Sequence, residues 1–166
     1  MTPSIFKSSY AMSQDVEKSS LLRSVVVEAI RSNPETYSEA ILGRPRKEYM
    51  TWIATPNAWG GAIELNILAT HFQVEIHSYD VSTGRLDQFG GGLGYKARLL
   101  LVYSGIHFDV MALTPDLQAP MEYDLTQFPL DKEKESGSKL SLTNAAKELI
   151  QIWKQVGIGQ RKCPRL

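Results

Sequence analysis

The sequence predicts an α+β domain, in which several helices come first, a short run of strands follows and one more helix ends the chain. Two observations carry this prediction. Between residues 21 and 72 apolar side chains recur at spacings of three and four, as on amphipathic helices. From residue 73 the pattern changes to alternation and then to a continuous apolar run, as in strands.

Four helices are predicted before the strands. Pro34 ends the first of them, because the residue before a proline disfavours helical dihedrals. Gly43 closes the second as a left-handed C-terminal residue, and Gly60-Gly61 precedes the fourth. The predicted ranges are Leu21–Ile30, Tyr37–Leu42, Lys47–Ile53 and Ala62–Phe72.

Four strands are predicted next, in the ranges Gln73–Tyr79, Arg85–Phe89, Ala97–Tyr103 and Ile106–Met111. The third is mostly a continuous apolar run, which is typical of a central strand buried on both faces. The glycine-rich stretch Gly90–Gly94 between the second and the third is predicted to be a flexible loop. Residues 114–139 read as a long surface connection or a partly disordered one, Leu140–Val156 as a closing helix and Gly159–Leu166 as a tail.

The length and net charge of the chain limit the classes of function that it can have. The chain has 166 residues, with 18 Lys+Arg against 18 Asp+Glu. This length is typical of one domain, and a formal net charge of +0 removes the electrostatic reason to bind nucleic acid or an anionic membrane. We therefore expect neither as a partner. Since residues 1–10 carry no apolar stretch of the signal-peptide kind, we also expect an intracellular protein.

A metal site or a bound cofactor is not expected. The single cysteine, Cys163, excludes a disulfide framework and a cysteine-rich zinc site. His71 and His77 lie on different elements, so both are interpreted as ordinary surface or boundary residues. The glycine cluster at 90–94 lacks the residues of a phosphate-binding loop.

His107 and Asp109 are the first candidate functional pair. They lie two residues apart on a predicted strand, so both side chains can project to the same face. A carboxylate beside an imidazole stabilises one tautomer and the charged form, as a general base requires. The alternative is a structural ion pair on an exposed strand face.

The second candidate is the stretch Trp59-Gly60-Gly61 at the start of a helix. A tryptophan followed by two residues without side chains can form a narrow slot that an extended peptide backbone enters closely. The alternative is a plain helix entry with Trp59 buried in the core.

The residues offer no clear nucleophile to accompany the histidine. Cys163 lies in a basic tail, Arg161-Lys162-Cys163-Pro164-Arg165. A helix N-terminus would lower the pKa of a thiol, but Cys163 is far in sequence from any predicted helix start. Ser4, Ser8 and Ser9 are candidates by position only.

Several motifs in order resemble the ovarian tumour (OTU) family, and within it the ubiquitin thioesterase branch associated with the AAA ATPase of endoplasmic-reticulum-associated degradation. The resemblance runs from about residue 4 to residue 128. The stretches that carry it are Asn33–Gly43, Glu48-Tyr49 with Trp52-Ile53, Trp59–Leu65 with Ile67-Leu68, and Tyr103–Asp109.

The resemblance implies a papain-like fold, with a small central sheet packed between helices, and a cysteine isopeptidase that cleaves ubiquitin or polyubiquitin without a cofactor. By resemblance His107 is the general base, Asp109 is the acid that orients it, and Ile106 contacts the ubiquitin tail. Trp59, Gly60 and Gly61 would receive the two glycines that end this tail. Ala58–Leu68 would correspond to the family's variable loop and Val102–His107 to its His-loop.

One departure from the family pattern concerns the nucleophile. The family motif Asp-x-x-Cys-Leu-Phe corresponds here to Met1-Thr2-Pro3-Ser4-Ile5-Phe6, so Ser4 occupies the cysteine position. A hydroxyl is a poor nucleophile in a site built for a thiolate, so we expect little or no turnover. Two interpretations remain: a gene model truncated at the nucleophile motif, or a catalytically dead module that still binds ubiquitin.

The expected organisation follows from these stretches. Residues 1–128 form the OTU domain, N-terminally truncated at the nucleophile motif, residues 129–139 a polar linker, and residues 140–166 the closing helix and tail. The resemblance implies a cytoplasmic location, with the nucleus as a second compartment, and a role in protein quality control. The AAA ATPase would be a further partner, although the ubiquitin-like leader that binds it in the family is not found in these residues.

Overall fold

The computed structural model describes residues 16–112, 120 and 123–130, and the helices and strands below are those of this part of the chain. They are α1 (Val16–Ser32), α2 (Glu39–Leu42), α3 (Arg46–Ile53), α4 (Ala62–Phe72), β1 (Glu75–Asp80), β2 (Leu86–Phe89), β3 (Ala97–Tyr103), β4 (Phe108–Val110) and β5 (Gln127–Pro129). Helices and one mixed sheet confirm the α+β prediction. In this part of the chain no helix is long and apolar enough to span a membrane.

The helices follow the predicted periodicity and differ mainly at their ends. The first extends further in both directions than the apolar pattern, and the second is shorter because Ser38 is extended, with φ −66° and ψ 159°. Gly43 closes α2 in the left-handed region at φ 69°, where its N–H donates to the Glu39 carbonyl.

The helices pack on one another through a common apolar cluster. Helix α1 contacts both α3 and α4, and the buried side chains of this cluster come from all three helices. They include Val26, Ile30, Tyr49, Ile53 and Ile67. This packing holds α4 and the segment before it against the rest of the helical layer.

The sheet has the order β2-β1-β3-β4, and β5 also pairs with β3. Strands β1 and β3 are parallel, from the Glu75–Arg98 pair to the Asp80–Tyr103 pair, while the other pairings are antiparallel. Strand β3 is therefore central, as its apolar run predicts. Because β1 and β3 are parallel, their carboxyl ends lie at the same edge of the sheet, directly before the turn that carries His107.

Two strand predictions need correction. The last predicted strand, Ile106–Met111, is shorter in the structure, since residues 106 and 107 belong to a turn and β4 covers only Phe108–Val110. The connection predicted over 114–139 contains a strand, β5, whose Phe128 is 2% exposed. Residues 131–166 lie outside the described residues. They include most of the predicted linker and all of the predicted closing helix and tail.

The interpretation of His77 as a surface or boundary residue is wrong, because this side chain is 2% exposed inside β1. Its Nε2 lies 2.8 Å from Oε2 of Glu75, which is also buried and on the same face of the strand. His71, in contrast, is exposed near the end of α4. Among the described residues no group of three or more His, Cys, Asp or Glu side chains is placed to hold a metal ion.

Gly90 lies at a point where the loop after β2 crosses α4. Its φ is +74°, and a Cβ there would lie 3.2 Å from the Ala69 Cβ and 3.2 Å from the Val74 carbonyl oxygen. The loop can thus approach α4 closely only with glycine at this position.

Gly90→Ala is expected to lower the free energy of unfolding by about 2–4 kcal/mol, because left-handed strain and crowding add. Urea denaturation measures the change. Gly92→Ala is the matched control: its φ is +80°, but nothing lies within 4 Å of an added Cβ, so only the strain of about 1–2 kcal/mol is expected. Equal losses in the two variants would contradict the role of crowding at Gly90, where Tyr95, Ala69 and Val74 all lie within 3.2 Å of an added Cβ.

Candidate functional site

His107 and Asp109 are in contact. Nδ1 of His107 lies 3.1 Å from Oδ1 of Asp109, and the two side chains are 34% and 22% exposed. Asp109 belongs to β4, where it pairs with Val102 of β3, and His107 is the last residue of the turn before β4. The spacing of two residues therefore brings the predicted pair together, while its catalytic role stays a prediction.

This contact has a chemical consequence for the imidazole. A carboxylate that accepts from Nδ1–H stabilises the tautomer whose Nε2 carries the free lone pair. It also stabilises the imidazolium formed when Nε2 takes a proton. The pair can therefore act as a general base with an orienting acid, provided that a nucleophile lies near Nε2.

The turn that carries the histidine is stabilised by hydrogen bonds and ring stacking among its own residues and those next to it. The Ser104 N–H donates to the His107 carbonyl at 3.0 Å, and the His107 N–H donates to Ser104 Oγ at 3.1 Å. The Tyr103 hydroxyl donates to the Gly105 carbonyl at 2.7 Å, and the Tyr103 ring stacks on Phe108 at 4.5 Å. Gly105, at φ +95°, supplies the left-handed residue that the turn requires.

An open cleft of about 500 Å³ lies beside this turn. Trp59, Gly60 and Gly61 form one stretch of its lining, called the glycine wall below, and Ile106 lines it as well, so all four residues predicted to bind substrate line the same cleft. Both chain neighbours of His107 line it too. Trp59 is 61% exposed and Ile106 is 71% exposed, so the alternative in which Trp59 is buried in the core is wrong.

The two glycines of the wall are not required by the packing of the chain itself. Neither has a positive φ. A Cβ at Gly61 would meet nothing within 4 Å, and one at Gly60 would make only an ordinary contact at 3.5 Å with the Glu64 side chain. Both glycines line the cleft, and because they carry no side chains a ligand backbone can approach them closely.

The assignment of Ala58–Leu68 to a variable loop is wrong for most of its length. Helix α4 begins at Ala62, so only residues 58–61 precede it as irregular structure. The physical reason is the apolar periodicity of α4, whose Ile67 and Ala69 are buried. The predicted His-loop, Val102–His107, consists of the end of β3 and the turn described above.

Glu64 is a site residue that was not singled out from the sequence. Its side chain is buried at 7% exposure and accepts two hydrogen bonds, from the Gly61 N–H and from the Tyr49 hydroxyl, each at 2.7 Å. Burial is the main cause that raises the pKa of Tyr49 far above its usual range, and the hydrogen bond to Glu64 adds to it. A glutamate three residues after the N-cap is the signal that could have found this contact.

Three polar residues line the cleft without having been predicted. Arg85, the residue before strand β2, forms an ion pair at 2.8 Å with Asp87 of that strand. Ser78 lies on the neighbouring strand at 2% exposure, directly opposite Asp87. The available signal was the spacing of two between residues 85, 87 and 89 at the start of and along β2, since alternate residues of an extended segment face the same side.

The nucleophile position is not placed by the structure. Ser4 and Cys163 both lie outside the described residues. The structure thus brings together His107, Asp109, Ile106 and the Trp59–Gly61 wall, and leaves the role of Ser4 as a prediction.

Comparison with known proteins gives the family. The model of the OTU-like cysteine protease family matches residues 3–111. An OVARIAN TUMOR DOMAIN-containing deubiquitinating enzyme 2 of Arabidopsis thaliana is 43% identical over 129 residues, which are 78% of this chain and 62% of that protein. Ubiquitin thioesterase OTU1 of Dictyostelium discoideum is 38% identical over 121 residues, which are 73% of this chain and 37% of that protein.

A solved structure supports the same family. An OTU domain in complex with ubiquitin has a TM-score of 0.68 and 27% sequence identity, and the match covers 82% of this chain and 72% of that one. The chain spans less than two thirds of the length of the curated relatives it matches, with 29% for ubiquitin thioesterase OTU1 of Homo sapiens. The fold, the motifs and the matched family model agree with the predicted resemblance, and the chain belongs to the OTU family of cysteine proteases.

Proposed function

We propose that this chain is a ubiquitin-directed module of the deubiquitinase type, a thiol isopeptidase and thioesterase whose turnover is impaired because Ser4 occupies the nucleophile position. One observation supports the proposal most strongly: two adjacent glycines line the same cleft as both chain neighbours of His107, whose side chain contacts Asp109. Relatives named ubiquitin thioesterase and an OTU domain solved with ubiquitin agree with it.

The cleft suits the tail of ubiquitin, which ends in two glycines. An extended backbone without side chains can lie against Gly60 and Gly61, because neither glycine presents a Cβ to it. The exposed Trp59 and Ile106 offer apolar contacts along the lining of the cleft. The scissile carbonyl would then lie on the side of the cleft next to the turn that carries His107.

The intact reaction needs a thiolate. The sulfur attacks the carbonyl carbon of the terminal glycine, and His107 takes the thiol proton and returns it to the leaving lysine amine, while Asp109 holds the ring. Water then hydrolyses the acyl-enzyme and regenerates the thiol. A serine hydroxyl, whose pKa lies far above that of a thiol, supplies little of the attacking anion in such a site.

A second function remains, in which the chain binds ubiquitin without turnover. The same cleft supports it, because binding of the tail does not require a nucleophile. What favours this function over turnover is Ser4, a hydroxyl residue where the family motif has a cysteine.

A ubiquitin carrying a C-terminal electrophile tests both functions. In a chain with Cys163→Ser, so that no other thiol competes, Ser4→Cys is expected to form a covalent adduct at residue 4, whereas the chain with Ser4 forms none. An adduct in the unaltered chain, at Ser4 or at Cys163, would overturn the proposed impairment. Ubiquitin binding without an adduct in the Ser4→Cys chain would support the binding module, and neither binding nor adduct would reject both.

A cellular setting is proposed as well, and it rests on the family resemblance alone. We place the protein in the cytoplasm, with the nucleus as a second compartment, in ubiquitin-dependent quality control beside the AAA ATPase of endoplasmic-reticulum-associated degradation. Co-purification of that ATPase with the tagged chain tests the partnership, and its failure would leave the ubiquitin chemistry intact while removing this setting.

A further inference from the structure

The segment that carries the glycine wall is held at its two ends. At the far end the Gly61 N–H is bound by Glu64, as described above. At the near end the chain leaves α3 at Ile53 and runs through residues 54–58 before it reaches Trp59. Trp59 and Gly60 therefore lie between two attachments, and the position of the wall depends on both.

Arg23 of α1 makes the attachment at the near end. Its guanidinium donates to three backbone carbonyls that come before Trp59. These are the carbonyls of Ile53 (2.8 Å, from Nη1), Pro56 (3.1 Å, from Nη2) and Ala58 (2.9 Å, from Nη2). They lie 30, 33 and 35 residues away in sequence. One side chain thus joins the first helix to the segment before the wall.

These contacts are not those of an ordinary ion pair. All the hydrogen bonds of Arg23 within the described part of the chain go to carbonyl oxygens, and no carboxylate there pairs with it. A planar guanidinium presents several donors at fixed angles, so it can satisfy three carbonyls of one bent segment at once. A lysine ammonium, a single point of charge, cannot reproduce this arrangement.

We propose that Arg23 is a positioning residue of the cleft, which holds residues 53–58 so that Trp59, Gly60 and Gly61 are set at the right distance from Ile106 and His107 to receive the ubiquitin tail. The inference rests on the proposed function, because it takes the cleft as the site of that tail. Arg23 itself touches neither the tail nor the reacting atoms; it acts through the backbone of the wall.

The test compares binding of ubiquitin with binding of ubiquitin that lacks its last two glycines, using the unaltered chain and its variants. The unaltered chain is expected to bind intact ubiquitin more tightly. Arg23→Gln is expected to weaken binding of intact ubiquitin by about tenfold, because charge-assisted hydrogen bonds that order the wall are lost. Binding of the shortened ubiquitin should change by less than about twofold, since it does not use the wall.

Two further variants sharpen the result. Arg23→Lys should fall between the unaltered chain and Arg23→Gln, because a lysine retains the charge but not the fork of donors. Arg31→Gln is the matched control: Arg31 lies on the same helix, is 61% exposed and, among the described residues, pairs with Glu28 one turn away. It should leave both affinities unchanged.

Amide hydrogen exchange separates positioning from loss of stability. In Arg23→Gln, residues 54–61 should exchange faster while residues 62–72 of α4 keep their rates. Faster exchange throughout the helical layer, or an equal loss of affinity for both forms of ubiquitin, would assign Arg23 a general stabilising role and overturn the proposal.

The remaining outcomes are decisive as well. If the unaltered chain distinguishes the two ubiquitins and Arg23→Gln does not alter this difference, the role of Arg23 is rejected while the proposed function stands. If the unaltered chain binds both forms equally, the cleft does not receive the tail, and the proposed function is rejected together with the inference.

Discussion

His107→Ala, in a chain that also carries Ser4→Cys, is expected to slow the release of ubiquitin from a ubiquitin ester or amide by about 10²–10⁴-fold. The reason is that the imidazole is the group placed to take the thiol proton, and its Nδ1 contact with Asp109 at 3.1 Å leaves Nε2 for that transfer. Steady-state release of a fluorophore from the ubiquitin C-terminus measures the loss. The affinity for ubiquitin itself should change little, because the proton transfer by His107 occurs only in the transition state, whereas the contacts of Trp59, Gly60, Gly61 and Ile106 with the tail remain.

Two controls accompany this variant. His71→Ala removes an exposed imidazole of α4 that contacts Phe72 and lies outside the cleft lining, so its rate should equal that of the parent. Asp109→Asn should lower the rate by less than His107→Ala, since the ring remains and only its orienting charge is lost. A His107→Ala chain within about threefold of its parent would show that the proton is taken by another group.

Glu64→Ala is expected to lower the free energy of unfolding by about 2–4 kcal/mol, the largest loss of stability expected of a residue near the cleft. The substitution leaves the buried Tyr49 hydroxyl and the Gly61 N–H without the acceptor they share. A buried donor that loses its partner bears its full desolvation cost. Urea denaturation followed by circular dichroism measures the change.

Its controls isolate the two hydrogen bonds. Glu48→Ala replaces an exposed glutamate of α3 and should stay within about 0.5 kcal/mol of the unaltered chain. Glu64→Gln retains one acceptor oxygen, so it should lose less than Glu64→Ala. A loss in Glu64→Ala no larger than that in Glu48→Ala would mean that water replaces the carboxylate, and that Gly61 is held by other contacts.

Much of the fold was predictable because its signals are local. The apolar periodicity of α4 gave both of its ends, and the continuous apolar run of β3 placed this strand in the middle of the sheet. Strand β5 was missed because three residues show no period, and this strand exists only through its pairing with β3. His77 was misjudged because alternation suggests one buried face, whereas β1 is buried on both faces of the sheet.

The site was predictable where a motif is contiguous, and not where it depends on distant contacts. The spacing of His107 and Asp109 sufficed to place them together. The attachment of Arg23 to residues 53–58 and the bond from Tyr49 to Glu64 join parts of the chain 15 to 35 residues apart, and no periodicity encodes such contacts. The role of Ser4 stays a prediction, since it rests on the motif alone.

The close packing of α4 at Ala69 and Gly90 has an evolutionary consequence. Ala69 is fully buried, and a Cβ at Gly90 would lie 3.2 Å from the Cβ of Ala69, so the helix that follows the glycine wall packs closely against the loop after β2. The side of the cleft that the glycine wall forms is therefore tied to the interior of the molecule through α4. Substitutions at such buried small residues would move this side of the cleft, so selection for a new substrate can act far from the bound peptide as well as on the exposed Trp59 and Ile106.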